Sequence, residues 1–144
     1  MSPAIMLLLY QMPVGALNAA RRILLADHVS LCFRRPFPSS RMGEFSVAVV
    51  CQKECRIVGL ALLREGEEMP TLECVSVLPG ERGVGMGSEL VKFAQQDLGH
   101  RALRLHVDRT DNPMYTRSCR WYEKLGFCKV AENEKECELR WCME

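Results

Sequence analysis

The sequence predicts a mixed α/β fold in which about six to seven mostly antiparallel strands form one sheet flanked by helices. Short runs rich in Val, Leu and Cys alternate with segments whose apolar residues recur at helical spacing. Two of the runs flank a tight turn at Lys53 and Glu54, which is typical of an antiparallel hairpin. A helical segment separates the fourth run from the fifth, and a right-handed crossover of this kind joins parallel neighbours in a sheet.

The elements follow one another as a strand, a helical region, three strands, a helix, a strand, a helix and two strands. Residues 34–41 are predicted as a loop because they are rich in proline and serine. The helix that begins at Gly83 ends at Gly99, since glycine readily adopts the left-handed cap conformation. The predicted strands are residues 4–10, 45–52, 56–64, 71–78, 103–107, 127–131 and 137–143. The predicted helices are residues 13–26, 28–33, 83–98 and 117–125.

Size and charge limit the classes of function. The 144 residues fit one domain, which is predicted to span residues 1–144. A net charge of +1 lacks the basic footprint of a nucleic-acid binder. No stretch approaches the ~20 apolar residues of a membrane span, and the apolar run at residues 4–10 lacks the flanks of a signal peptide. We therefore expect neither a nucleic-acid partner nor a membrane partner.

Cysteine is abundant, with eight residues, yet no two of them form a Cys-x-x-Cys pair. His28, His100 and His106 do not have zinc-like spacing to any cysteine, so no metal site is predicted. Several cysteines lie inside apolar runs, where a free thiol behaves as a small hydrophobic group. We expect reduced core thiols and a cytoplasmic, reducing compartment, with disulfides as the alternative.

The most informative segment runs from Val77 to Ser88, where a strand ends, a glycine-rich turn follows and a helix begins. Such a turn directs several backbone N–H groups and the positive end of the helix dipole at one point. Glycine allows an anion to approach the backbone without meeting a Cβ atom. The segment therefore predicts a phosphate-binding loop, at which Arg82 adds a charge-assisted hydrogen bond. A glycine-rich turn without a ligand is the alternative.

Two other phosphate loops fit the segment less well. A Walker loop is excluded because no Gly-Lys-Ser/Thr follows the glycines. A dinucleotide fingerprint that opens at Gly83 places its third glycine at position 88, whereas the chain has Gly87 and Ser88. Only 36 residues follow Asp108, which is too few to complete a doubly wound dinucleotide domain.

Two motifs carry a family resemblance. Residues 82–87, Arg-Gly-Val-Gly-Met-Gly, resemble the Gln/Arg-x-x-Gly-x-Gly/Ala pyrophosphate loop of GNAT acetyltransferases, and the Val-x-Pro lead-in at residues 77–79 matches as well. Residues 121–127, Trp-Tyr-Glu-Lys-Leu-Gly-Phe, resemble the family's Tyr-x-x-x-Gly-Phe ending of the helix after strand five. The resemblance covers residues 44–130 strongly and both ends loosely. It implies a single GNAT-type domain whose sheet has a V-shaped split between strands 4 and 5.

The resemblance implies that acetyl-coenzyme A is the cosubstrate and that it binds in this split, with no metal. Its pyrophosphate is expected on the N–H groups of the glycine loop, and its pantetheine arm on strand four. Tyr115 occupies the position of the family's pantetheine-binding asparagine, so Asn112 is expected to substitute for it, and Ser118 replaces a common alanine. The expected coenzyme contacts are Val75, Val77, Arg82, Gly83, Val84, Gly85, Met86, Gly87, Ser88, Asn112 and Ser118.

The implied reaction transfers the acetyl group to a primary amine by direct attack in a ternary complex. A lysine-like amine is mostly ammonium at pH 7, a deficit of roughly 4–5 kcal/mol, so a base is needed. Glu73 is the candidate base, and an exposed strand residue paired with an arginine is its alternative role. Tyr122 matches the family's tyrosine and is the candidate acid, with simple aromatic packing as its alternative role. We expect His106 to be a structural or surface residue.

The sequence leaves the chemical identity of the acceptor open. In the fold that the chain resembles, the acceptor groove is framed by the basic segment 34–41 and by the acidic turn 132–136. A small-molecule amine, a polyamine, a protein N-terminus and a lysine side chain are all open alternatives. A non-catalytic acyl-coenzyme A sensor or interaction module is the second functional hypothesis, and a homodimer is also open.

Overall fold

The computed structural model describes residues 7–96, 98–99 and 101–143. Residues 4–6 of the predicted first strand and His100 lie outside the described residues. No helix among the described residues has the length and apolar character needed to cross a membrane. The strands are β1 (Leu7–Pro13), β2 (Val47–Lys53), β3 (Arg56–Arg64), β4 (Thr71–Val77), β5 (Ala102–Asp108), β6 (Cys128–Glu132) and β7 (Glu136–Cys142). The α-helices are α1 (Ala19–Phe33), α2 (Met86–Gln96) and α3 (Tyr115–Lys124), and short 3-10 turns span Val14–Ala16, Ser39–Glu44 and Pro79–Glu81.

One seven-stranded sheet organises the molecule, in the order β1-β2-β3-β4-β5-β7-β6. Every neighbouring pair is antiparallel except β4 and β5, which are parallel. Within these two strands the ladder joins only Thr71 and Arg104, near the start of both, and the Arg104 N–H donates to the Pro70 carbonyl at 3.1 Å. The rest of the two facing edges is left without a partner strand. The predicted mixed sheet and its split between strands 4 and 5 are confirmed.

A β-bulge changes the course of β4 as it reaches the split. Leu62 pairs with Cys74 and Leu63 pairs with Leu72, so Glu73 has no partner of its own in the ladder with β3. An extra residue of this kind bends its strand and increases the local twist. The candidate base is therefore the bulged residue of the strand that forms one edge of the split.

Both faces of the sheet are covered by helices. Successive residues of β2 alternate between two hydrophobic clusters, so that Val49 belongs to the cluster containing α2, and Ala48 and Val50 belong to the cluster containing α1. Because both faces are buried, β2 and β3 consist mainly of apolar residues, whereas β4 and β5 also contain exposed polar residues. The helix α2 crosses from β4 to β5 and lies close against β3 at Gly59.

The cysteines divide between the core and the surface. All eight lie within the described residues, and all have free thiols. Cys51 is fully buried, and Cys119 on α3 packs against Cys137 on β7 with their sulfurs 3.4 Å apart. Burial raises the pKa of Cys51 and of Cys119, which keeps these thiols neutral. The buried cysteines therefore act as small hydrophobic side chains, as the sequence predicts.

The first helical region differs from the prediction. The predicted helices at residues 13–26 and 28–33 are one helix, which begins after Asn18 rather than at Pro13. The Asn18 side chain accepts a hydrogen bond from the Arg21 N–H at 2.8 Å, which caps the helix, while Pro13 still belongs to β1. His28 belongs to this helix, and its side chain is buried, with Nε2 3.5 Å from the Cys32 sulfur. The predicted loop at residues 34–41 also overlaps a 3-10 turn, Ser39–Glu44.

The contact between Gly59 and α2 generates a stability prediction. A Cβ atom at Gly59 would lie 3.0 Å from Leu90 Cδ1, 3.1 Å from Met86 Sδ and 3.3 Å from Cys51 Cβ. We expect Gly59→Ala to lower the free energy of unfolding by about 1–3 kcal/mol through overpacking, measured by urea denaturation. Gly15→Ala is the control, because a Cβ atom there meets nothing within 4 Å. Equal stability of the two variants would contradict this packing.

Candidate functional site

The glycine loop between β4 and α2 presents a set of free backbone donors. Within the described part of the chain, the N–H groups of residues 83–87 make no hydrogen bond. The first backbone hydrogen bond of α2 runs from the Glu89 N–H to the Gly85 carbonyl at 3.1 Å. Gly83 and Gly85 have φ angles of +86° and +82°, and a Cβ atom at either would meet nothing within 4 Å. Free amides at a helix N-terminus beside open space suit a phosphate group.

Gly87 serves a different purpose from the first two glycines of the loop. A Cβ atom at Gly87 would lie 3.2 Å from Cζ2 of Trp121 on α3. The absence of a side chain therefore lets α3 approach the first turn of α2, next to the loop. The sequence motif predicts Gly87 as a coenzyme contact, and the structure adds a packing reason for it.

Arg82 is held by backbone carbonyls. Its Nε donates to the Val77 carbonyl at 2.9 Å, and one terminal nitrogen donates to the Cys32 carbonyl at 3.1 Å. The guanidinium group thus ties the glycine loop to the end of β4 and to the last turn of α1. An arginine has five N–H donors, so three remain for a ligand.

A first cavity of about 500 Å³ opens at the glycine loop. The loop, the end of β4 and α3 line it. Of the expected coenzyme contacts, it brings together Val75, Val77, Arg82, Gly83, Gly85, Met86, Gly87, Ser88 and Ser118. Val84 does not line it and is 73% exposed. The expected contacts did not include Phe33, Ser76, Glu81 and Trp121. The last three lie within or beside segments that the sequence motifs single out, whereas Phe33 had no signal in the sequence.

A second cavity, of about 470 Å³, adjoins the first. Four residues line both cavities, namely Phe33, Val75, Ser118 and Tyr122. The two cavities therefore meet at the split, between the edge of β4 and the face of α3. The second cavity is also lined by the segment 35–41 and by the C-terminal half of β5.

Tyr122 lines both cavities at the place where they meet. Its ring is T-shaped against Trp121 and Phe127, with centroid distances of 4.8 Å and 5.7 Å. Burial raises the pKa of the Tyr122 hydroxyl, and the nearby Cys74 thiol raises it further. The hydroxyl is therefore protonated at neutral pH and able to donate a hydrogen bond.

Glu73 forms an ion pair and also lines the second cavity. Its Oε1 lies 3.4 Å from Arg64 Nε, so it is the strand residue paired with an arginine. Its side chain nevertheless remains 32% exposed and lines the second cavity. Arg64 also lies 4.0 Å from Glu44, so Glu73 shares this cation with a second carboxylate.

Asn112 is placed away from the first cavity. Its Nδ2 donates to the Asp108 carbonyl at 2.6 Å, and its Oδ1 accepts from the Met114 N–H at 3.0 Å. Both ends of its amide thus shape the loop between β5 and α3, and the residue lines the second cavity instead. His106 lines the same cavity and lies 3.5 Å from Glu138 on the neighbouring strand.

The acidic turn 132–136 does not line the second cavity, which differs from the expected frame of the acceptor groove. Glu132 is occupied by the Tyr115 hydroxyl, by Lys129 at 2.9 Å and by Arg109 at 3.4 Å. These donors, the Tyr115 hydroxyl first, lower the pKa of Glu132 to about 2. The carboxylates beside the cavity come instead from Glu73 on β4 and Asp108 at the end of β5.

Among the residues that the structure describes, no group of three or more His, Cys, Asp or Glu side chains is arranged to hold a metal ion. The polar groups described at the two cavities include backbone amides, the Tyr122 phenol and the Glu73 and Asp108 carboxylates.

The positive φ angle of Gly85 generates a binding prediction. Alanine disfavours this conformation by about 1–2 kcal/mol, so we expect the substituted loop to relax in the free protein and to regain the conformation only on binding. Gly85→Ala should therefore weaken coenzyme A binding by about 5- to 30-fold in titration calorimetry. Gly80→Ala is the control, because Gly80 has no positive φ and a Cβ atom there meets nothing within 4 Å. Unchanged affinity in Gly85→Ala would show that this loop does not bind the coenzyme.

Solved structures share the fold over nearly the whole chain. A GNAT-family protein from Desulfovibrio desulfuricans superposes with a TM-score of 0.75 at 17% identity, covering 95% of this chain and 99% of that one. The ribosomal-protein-S18-alanine N-acetyltransferase from Escherichia coli gives 0.74 at 14% identity, covering 95% of each chain. A GNAT-family acetyltransferase from Elizabethkingia anophelis, solved with acetyl-coenzyme A bound, gives 0.61 at 14% identity, covering 95% and 98%. At these identities the likeness establishes the fold alone.

Sequence comparison identifies the family. No protein of curated function matches the sequence. The family model for the acetyltransferase (GNAT) domain matches residues 44–129, which is more than half of the chain. The matched range contains β2 through β5, the glycine loop, α2 and α3, and thus both motifs and both sides of the split. The chain therefore belongs to the GNAT acetyltransferase family.

Proposed function

We propose that this chain is an N-acetyltransferase that moves the acetyl group of acetyl-coenzyme A to a primary amine by direct attack in a ternary complex. The observation that carries the proposal is the meeting of two cavities at Val75, Ser118 and Tyr122. One cavity contains a loop of free amides suited to a diphosphate, and the other contains carboxylates suited to an amine. A bisubstrate reaction needs two such sites that share one reacting centre.

The residues of the first cavity fit acetyl-coenzyme A, which supplies the acetyl group as an activated thioester. The free N–H groups of residues 83–87 would hold its pyrophosphate. Because β4 joins β5 only at Thr71, the facing edge of Val75–Val77 has backbone groups available for the pantetheine amides. A backbone N–H of this edge would also stabilise the negative charge that develops on the thioester oxygen.

Proton transfer is assigned to two side chains. The ammonium group first releases one proton to solvent. A bond then forms from the neutral amine nitrogen to the acetyl carbon, the carbon–sulfur bond breaks, and a second proton passes from nitrogen to sulfur. Glu73 is the proposed base, taking the proton of the amine directly or through a water molecule. Tyr122 is the proposed acid at the sulfur. Because its raised pKa lies above that of an ordinary thiol, ~8.5, its main contribution is a hydrogen bond to the sulfur as negative charge develops.

An amine acceptor is supported by the use of the same fold elsewhere. The name of the Escherichia coli enzyme gives an alanine of ribosomal protein S18 as the group it acetylates. The carboxylates of Glu73 and Asp108 beside the second cavity would attract an ammonium group before it loses its proton. The eight free thiols support a cytoplasmic, reducing compartment.

The coenzyme assignment is tested by ligand-induced stabilisation. At ~100 times its Kd, acetyl-coenzyme A should stabilise the fold by about 2.7 kcal/mol, whereas a nicotinamide dinucleotide should not. Release of free coenzyme A thiol with a panel of amines then separates the enzyme from a non-catalytic acyl-coenzyme A sensor. Binding without thiol release on any amine would support the sensor and contradict the transferase.

The role of Tyr122 is tested by removing only its hydroxyl. We expect Tyr122→Phe to lower kcat by about 10²–10³-fold, because one preorganised donor to the reacting group is lost. Coenzyme A affinity should stay within about twofold, since the ring keeps its packing against Trp121 and Phe127. Tyr10→Phe is the matched control, because that hydroxyl binds Gln52 on β2 and lines neither of the two cavities. Unchanged turnover in Tyr122→Phe would remove this residue from the mechanism.

A further inference from the structure

Charged side chains of both signs, from different elements of the fold, line the second cavity. Its cationic side chains, Arg35 and Arg41, come from the segment that follows α1. Its carboxylates, Glu73 and Asp108, come from β4 and β5 at the split, where the acceptor nitrogen must lie for transfer. A ligand in the cavity therefore meets carboxylates from the strands of the split and cationic groups from the segment after α1.

Two of these charges are already compensated within the chain. Arg41 forms an ion pair with Glu44 at 3.1 Å and lies over the Phe37 ring at 4.7 Å. Glu73 pairs with Arg64. Among the described residues, by contrast, no ion pair within 4.0 Å involves Arg35 or the Asp108 side chain. One cation and one carboxylate at the cavity are thus available to a ligand.

The rest of the cavity lining is largely apolar. Phe37 and Phe45 stack with ring centroids 6.1 Å apart, and further apolar lining comes from Val29, Phe33, Leu72 and Leu105. The volume of about 470 Å³ lies in the lower half of the ~300–1,000 Å³ range of small-molecule sites. The cavity therefore has room for a small molecule with an apolar body.

We propose that the acceptor is a small apolar amino acid or a similar amine that also carries a carboxylate, and that Arg35 binds this carboxylate. The inference rests on the transferase function proposed above and specifies its substrate class. The planar guanidinium group of arginine matches a carboxylate with two parallel hydrogen bonds, which a polyamine or an uncharged amine does not offer. The amino group of the acceptor then lies toward Glu73, Asp108 and Tyr122.

The test compares acceptors that differ only in the carboxylate. The apolar amino acids phenylalanine, leucine, methionine and tryptophan are each paired with their amides, and the initial rate of coenzyme A thiol release gives kcat/KM. We expect Arg35→Gln to lower kcat/KM by about 10- to 100-fold for the acids, mainly through KM, because a charge-assisted hydrogen bond is lost. The amides should change by less than about twofold. Each acceptor is compared between the wild type and Arg35→Gln. The difference in basicity between the amino groups of an acid and its amide therefore cancels from the ratio of kcat/KM values.

The neighbouring Arg34 provides a matched control. It is exposed, ends α1 with a φ of 54° and does not line the second cavity. Arg34→Gln makes the same change of charge one residue away and should leave both acceptor series unchanged. Arg35→Lys should recover part of the lost kcat/KM, because it restores the charge without the planar fork. Calorimetry of the acids in the presence of coenzyme A gives a readout that does not depend on turnover, and Arg35→Gln should weaken this binding similarly.

Each outcome bears on a different proposal. Equal effects of Arg35→Gln on acids and amides, or turnover of other amines but of none of these acids, would overturn the substrate class while leaving the transferase function intact. Turnover of peptides alone would assign the cavity to a protein N-terminus and would also overturn it. If no amine of any class releases the thiol, the transferase function itself fails.

Discussion

The parallel strands β4 and β5 are joined at a single position, and this geometry creates the opening that both cavities share. β4 and β5 meet in the ladder at Thr71 and Arg104 and nowhere else along their length. Every other neighbouring pair in the sheet is joined over several residues, so the sheet is continuous on both sides of one opening. Because unpaired strand edges keep free backbone donors and acceptors, the opening is also a place where a ligand with amide groups can pair.

Helix packing places the glycine loop and Tyr122 at this opening. The missing side chain of Gly59 lets α2 lie against β3, and the missing side chain of Gly87 lets Trp121 of α3 approach the first turn of α2. The amide-rich start of α2 and Tyr122 of α3 are thereby held on the same cavity. Close packing at these two glycines sets the distance between the two helices that line the candidate site, which the loop sequence alone does not determine.

The charged groups of the second cavity differ from those that surround the acidic turn of the C-terminal hairpin. Glu132 is surrounded by Tyr115, Lys129 and Arg109, which stabilise its carboxylate outside the second cavity. The carboxylates that face the cavity belong to the strands that form the split, and the cations belong to the segment after α1. The polarity of the cavity therefore follows from the topology of the sheet rather than from the acidic composition of a turn.

The mixed sheet, the glycine loop at a helix start and the Tyr-x-x-x-Gly-Phe helix end could be predicted from the amino-acid order, because their signals lie in residues close together along the chain. Three features became visible in the folded molecule alone: Arg82 donates to the Cys32 carbonyl, Phe33 of α1 lines both cavities, and the acidic turn does not line the second cavity. Each of these depends on where distant segments meet. Sequence spacing does not encode such contacts, because packing of two helices on opposite faces of one twisted sheet sets them.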